Sequence, residues 1–220
     1  LWESGHCSVK FFLRNEHYKA AVSNGLRVHS VQGDIYISPD ALQAYDSTSE
    51  MIQHDDDDLD WVIVALKSSS LTSIPDLILP ILSPNTRVLV IMNGMIEEDL
   101  IGSLKQATGQ VDDDDDDDDS PLQCCKALYG GMALICSNRV QPAVVDHTYF
   151  GLLSAGVAST NSANMNEDKE AFFDLFDPTI VDVQFESSLL RGRWKKMIWN
   201  LPFNGISVAM GGISVDKIVN

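Results

Sequence analysis

The chain has 220 residues, 45% of them hydrophobic, enough for one sizeable core or for one domain and part of another. Its formal charge is −17, yet two aspartate runs at 55–58 and 112–119 carry twelve of the 32 acids, and the other twenty stand against 15 basic residues. A mildly acidic remainder argues against a nucleic-acid phosphate or an anionic membrane surface as partner. No run approaches the ~18 apolar residues of a membrane span.

The first residue is Leu, and residues 1–5 read as the tail of a helix closed by glycine, so further sequence is expected upstream. Residues 8–13, S-V-K-F-F-L, form a buried strand that delivers Arg14 to its C-terminal end. A short helix over 16–23 stops at Asn24-Gly25. Two brief strands, 26–31 and 35–37, make a hairpin around Gly33-Asp34. Residues 40–53 are polar and lead through the first aspartate run to W-V-I-V-A-L, a continuous apolar strand of the kind buried on both faces of a parallel sheet. Lys67 caps it, and a lysine that merely solvates a strand end is an equal reading.

Residues 71–82 have helical periodicity interrupted by Pro75 and Pro80, which predicts a broken helix. The next strand, R-V-L-V-I-M, carries Asn93 and Gly94 to a sheet edge. Glu97, Glu98 and Asp99 fall in a helical first turn, where acids complement the dipole. The run at 112–119 is low in complexity and lacks the alternating ligands and glycine of a calcium loop. Further strands are expected over 122–129, 132–138 and 150–153, with Gly130-Gly131 as a break. His147 has no second ligand or nucleophile beside it in sequence and reads as structural. Cys7, Cys124, Cys125 and Cys136 show neither C-x-x-C nor zinc spacing and are expected as reduced thiols buried in strands. A helix over 166–176 ends before Pro178, and a strand over 180–185 follows.

The run from Arg193 to Asn204 reads R-W-K-K-M-I-W-N-L-P-F-N. As a helix it sets Lys196, Asn200 and Asn204 on one stripe, a cation and two amides suited to gripping a polar substrate and giving it a proton. A solvated face on an ordinary amphipathic helix is the plainer reading of the same stripe. Trp194, Met197, Ile198, Leu201 and Phe203 are expected to hold the helix against a core. Pro202 should kink it between the two asparagines. Gly211-Gly212 breaks the chain, and Ser214 caps a last helix.

The pattern W-x-K-x-x-x-N-x-x-x-N, downstream of a strand ending in Asn93-Gly94 and an early strand ending in Arg14, resembles the ketopantoate reductase family (2-dehydropantoate 2-reductases). The resemblance spans nearly the whole chain and is strongest at 11–14, 61–67, 88–95 and 193–204. It implies an α/β fold: a Rossmann-like NADP-binding domain over 1–186 without its first βα unit and glycine-rich G-x-G-x-x-G turn, then the start of an all-helical domain over 187–220. It implies that Arg14 pairs with the 2′-phosphate of NADPH and that Lys67 and Asn93 lie beside the cofactor. Asn93, Asn200 and Asn204 would bind substrate. Lys196 would protonate the oxygen of a 2-keto acid, ketopantoate being the family substrate. A further serine and glutamate of the family's helical domain have no counterpart in this sequence.

The expected protein is thus a cytoplasmic, metal-free oxidoreductase of pantothenate biosynthesis, with a homodimer through the helical domain as an expected assembly. Two other readings stay open: a sibling reductase for another 2-keto or 3-hydroxy acid, and a non-catalytic interaction protein that uses acidic loops on the same scaffold.

Overall fold

The computed structural model describes residues 1–53, 58–110, 120–176, 179–214 and 217–218. The aspartate runs fall outside that set except for Asp58, as do Pro178 and most of the helix expected after Ser214.

The two continuous apolar runs form the centre of the sheet. β5 (Trp61–Val64) and β6 (Arg87–Ile91) pair in parallel, with Val62 beside Val88 and Val64 beside Val90. β6 pairs in parallel with β7 (Ala127–Gln141), which returns antiparallel as β8 (Val144–Thr160). The far edge of β8 takes β2 (Leu26–Ser30) in parallel, and β2 closes the expected hairpin with β3 (Ile35–Ile37). β9 (Asp182–Phe185) also lies parallel to β8. The order is β3-β2-β8-β7-β6-β5.

A separate pair, β1 (Lys10–Phe12) and β4 (Gln43–Tyr45), runs in parallel. In a doubly wound sheet of order 3-2-1-4-5-6, β4 and β1 correspond to positions 3 and 2, and β5, β6 and β7 to positions 4, 5 and 6. None of the described residues fills position 1. β1 is followed by α1 (Glu16–Asn24), which Gly25 ends at φ 77°.

Both faces of β5 and β6 are covered, which accounts for their unbroken apolar sequence. On one face Val62, Val64, Val88, Val90 and Leu128 pack with Ile74 and Ile78 of α3 (Ile74–Ile78) and with Leu100 and Leu104 of α4 (Glu97–Thr108). The two prolines do fragment the 71–82 stretch, leaving α3 between two 3₁₀ turns. On the other face Leu89, Tyr129 and Ala155 pack with Phe172 of α5 (Met165–Leu175). Asn164 caps α5 by accepting from the N–H groups of Asn166 and Glu167. Fully buried Asp168 ties that helix to the sheet by accepting from Thr160 Oγ1 at 2.8 Å, Ser162 Oγ at 2.6 Å and Tyr129 Oη at 3.3 Å.

Several expectations change. Residues 1–5 form a turn, with the Gly5 amide donating to Trp2 O, and not the end of a helix. The polar stretch 40–53 contains β4 and α2 (Thr48–Gln53). Gly130-Gly131 does not interrupt the sheet, because β7 runs through both. A Cβ at Gly130 would collide with Glu97 Oε1 and lie 2.8 Å from Leu189 Cδ2, so glycine there admits neighbours above the strand. The cysteines are free, but Cys125 is buried ahead of β7, and Cys136, which does lie in a strand, is exposed.

Candidate active site

The chain leaves the sheet at Glu186, whose amide donates to Ala155 O at 2.7 Å, and enters α6 (Leu189–Ala209). Ser188 caps the helix by accepting from the Arg191 amide. Only the first turns of α6 meet the sheet. Gly192 lets it approach closely, since a Cβ there would lie 2.9 Å from both Met132 Cε and Glu186 Cγ.

The side of α6 that faces the sheet is polar. Arg193 is 3% exposed. Its guanidinium donates from Nε to Glu97 Oε1 at 3.0 Å, from Nη2 to the same oxygen, and from Nη1 to Met92 O at 2.5 Å and Gly131 O at 3.2 Å. One turn on, Lys196 Nζ donates to Ala133 O at 2.8 Å. The expected apolar face points outward instead: Trp194, Ile198 and Leu201 are 51%, 71% and 61% exposed. The reason is that a buried fork to two carbonyls and a carboxylate fixes the rotation of the helix, and no described element covers its greasy side. The helix continues through Pro202 to Ala209.

Strand register, with the Lys196 hydrogen bond, brings Lys67, Asn93 and Lys196 to one end of the sheet, while Arg14 follows β1 in the separate pair. β6 and β7 pair as far as Ile91 and Gly131, and Asn93 and Ala133 each lie two residues further on. The ammonium of Lys196, held at Ala133 O, therefore stands at the strand end that carries Asn93. Lys67 and Asn93 each lie three residues past the paired Val64 and Val90. These are the C-terminal ends of parallel strands, where ligands of doubly wound sheets bind. Asn93, Lys67 and Asn204 are exposed and Asn200 is half-buried. Burial pushes the Lys196 amine below its ordinary range, and the Arg193 charge adds to the push.

Arg14 is exposed after β1, in an open cleft of about 390 Å³ lined also by Asn15, Glu16, Tyr18, Lys19 and Asp46. Lys19 is neutralised by Glu16 at 2.9 Å, whereas Arg14 forms no ion pair among the described residues. Asn15 holds φ 54° and ψ −128°, a strained conformation for a residue with a side chain. A guanidinium without a partner beside a cleft fits a phosphate of a dinucleotide. Asp46 and Glu16 in the same lining limit that charge to one corner.

The sequence reading missed Arg193 and Glu97. Glu97 was expected only to complement the α4 dipole, but it makes no cap and instead pairs with Arg193. A usable signal existed: Arg193 lies three residues before Lys196 and so shares its stripe. His147 is buried and bonds Ser30 Oγ at 2.9 Å, away from this site, as a structural histidine. Among the described residues no cluster of three or more His, Cys, Asp or Glu could hold a metal, and no helix is long and apolar enough to cross a membrane.

Fold and site together define a Rossmann-like α/β protein in which Lys196 of α6 meets the sheet at Ala133 O. The family model described as ketopantoate reductase PanE/ApbA matches residues 1–159, and the chain belongs to that family. A 2-dehydropantoate 2-reductase of Nostoc sp. is 28% identical over 205 residues, covering 92% of this chain and 56% of that protein. The solved 2-dehydropantoate 2-reductase of Geobacter metallireducens superposes with a TM-score of 0.71 at 27% identity, over 93% of this chain and 58% of that one. A D-mandelate dehydrogenase solved with NADH and anilino(oxo)acetate shares the fold at 17% identity and a TM-score of 0.68, over 93% of this chain and 57% of that one. The chain thus spans a little over half the length of these relatives.

Proposed function

We propose that the full-length protein reduces a 2-keto acid with NADPH, the substrate being ketopantoate, as the names of its family and relatives support. The observation that carries the reading is the Lys196 ammonium standing at the strand end of Asn93, on the stripe it shares with Asn200 and Asn204. None of these three asparagine side chains hydrogen-bonds within the protein among the described residues, so their amides are available to a ligand. Residues 1–186 form the dinucleotide domain in this reading, and α6 opens the substrate domain at 187–220. Dimerisation would fall to the helical domain.

Arg14 would hold the 2′-phosphate of the cofactor, and Lys67 and Asn93 would line its nicotinamide end. NADPH, when bound, supplies the hydride. The chain's own residues do the rest. Asn200 and Asn204 would hold the substrate's hydroxyl or carbonyl, and Asn93 would lie where cofactor and substrate meet. Lys196 stabilises the charge growing on the keto oxygen and then gives up its proton there. Its depressed pKa suits that work, because a weakened hold on the proton eases transfer.

The test is turnover by the full-length protein, followed as loss of NADPH absorbance on adding ketopantoate and, in parallel, a panel of other 2-keto acids. Preference for ketopantoate supports the full reading. Turnover of another member of the panel alone keeps the reaction and changes the substrate. No turnover with any of them removes the reductase reading and leaves the scaffold to a binding role.

A further inference from the structure

We propose that Arg193 is a positioning residue that ties the Lys196 stripe of α6 to the end of β6, setting the distance between the proton donor and Asn93. The inference rests on the reductase reading for its kinetic arm only.

Arg193 reaches three separate elements at once. It accepts nothing and donates to the Met92 carbonyl at the end of β6, to the Gly131 carbonyl in β7 and to the Glu97 carboxylate at the start of α4. Met92 immediately precedes Asn93, so the same guanidinium that anchors α6 also pins the backbone from which Asn93 projects. Gly130 gives the carboxylate its place above the strand, since any Cβ there would occupy it. Lys196 follows one helical turn later, and Asn200 and Asn204 after it, at i+3, i+7 and i+11 from Arg193. A planar fork fixed by four hydrogen bonds sets both rotation and height of a helix, which a single ammonium in its place cannot do. The other ties of α6 to the sheet are Lys196 on Ala133 O, the Lys195–Glu186 pair and the close approach at Gly192. The side chains at 194, 198, 199, 201 and 208 are all more than half exposed.

The experiment compares wild type, Arg193→Met, Glu97→Leu and the double variant in the full-length protein. Each single change leaves a buried charge without its partner and should lower the thermal midpoint. The double change removes both charges and should recover most of that midpoint. A purely structural pair would then recover activity as well. Positioning predicts that kcat in the double variant stays down by roughly tenfold to a hundredfold, with KM for NADPH little changed, because small misplacement of a reacting group is costly. Arg193→Lys should not rescue it. The second arm needs no turnover: the pH dependence of Lys196 labelling by acetic anhydride, read by peptide mass spectrometry, should shift to higher pH when Arg193 is lost. Recovery of kcat along with the midpoint, or an unmoved Lys196 titration, overturns the proposal. A wild-type protein without turnover defeats the reductase reading instead, and the labelling arm still decides whether the Arg193 charge acts on the Lys196 ammonium.

Discussion

Lys195 Nζ lies 3.0 Å from Glu186 Oε2, while its neighbour Lys196 turns to a different flank of α6 and donates to Ala133 O. Adjacent lysines separated by about 100° of helix thus face different tasks. Lys196→Ala in the full-length protein is expected to lower kcat by about 10² to 10⁴ while leaving NADPH binding, followed by fluorescence, near normal. Lys195→Ala should keep most of the activity, because a half-exposed ion pair contributes only about 0 to 1 kcal/mol. The reverse result would place the proton donor one residue earlier and detach the ammonium at Ala133 O from the chemistry.

Arg14 forms no ion pair among the described residues, so its loss should act on cofactor choice and not on folding. Arg14→Ala is expected to cut the preference for NADPH over NADH by roughly tenfold or more, the size of a charge-assisted hydrogen bond. The ratio of kcat/KM for the two cofactors measures it. An unchanged ratio removes Arg14 from the phosphate site.

Gly130 is where β7, α4 and α6 meet. Gly130→Ala forces its methyl against Glu97 and Leu189 and should destabilise by about 1 to 3 kcal/mol, the cost of overpacking. Gly102, with open space around it, is the control: Gly102→Ala in α4 should be neutral or stabilising by up to about 1 kcal/mol. Urea denaturation distinguishes the pair.

Tyr129 carries a pH signature. Burial raises its phenol above the ordinary range, the Asp168 charge adding to the rise and Arg87 opposing it. A folded-state pKa above the unfolded one means the neutral phenol stabilises the fold below about pH 10, and that contribution is lost as pH climbs from there toward the raised value. Stability measured between pH 9 and pH 11 should therefore fall more steeply in wild type than in Tyr129→Phe. Equal slopes would show that the phenol titrates normally.

The parts of this molecule that were legible in sequence are those whose signal is local. The runs at Trp61 and Arg87 are apolar because both their faces are covered, and that shows in any window of five residues. The place of Arg14 after β1 and the spacing of Lys196, Asn200 and Asn204 likewise follow from one strand and one helix. What escaped depends on partners far along the chain. Gly130-Gly131 looks like a break until Glu97 and Leu189 are placed above it. β4 is three residues with no apolar alternation, recognisable only by its pairing with β1. The orientation of α6 escaped because amphipathicity predicts that the greasy face turns inward, whereas one buried guanidinium with four hydrogen bonds decides it.

The long antiparallel ribbon of β7 and β8 bears on the order in which the chain folds. Its strands are joined through Pro142 and Ala143, with Gln141 already paired to Val144, so its ladder can zip outward from contacts nearly adjacent in sequence. β2, by contrast, must find β8 across a separation such as the 117 residues between Ser30 and His147. Closing so long a loop costs entropy that only a preformed partner repays, which makes the ribbon the template and β2 a late arrival. Damage within the ribbon should then retard folding, while equal damage to β2 chiefly hastens unfolding.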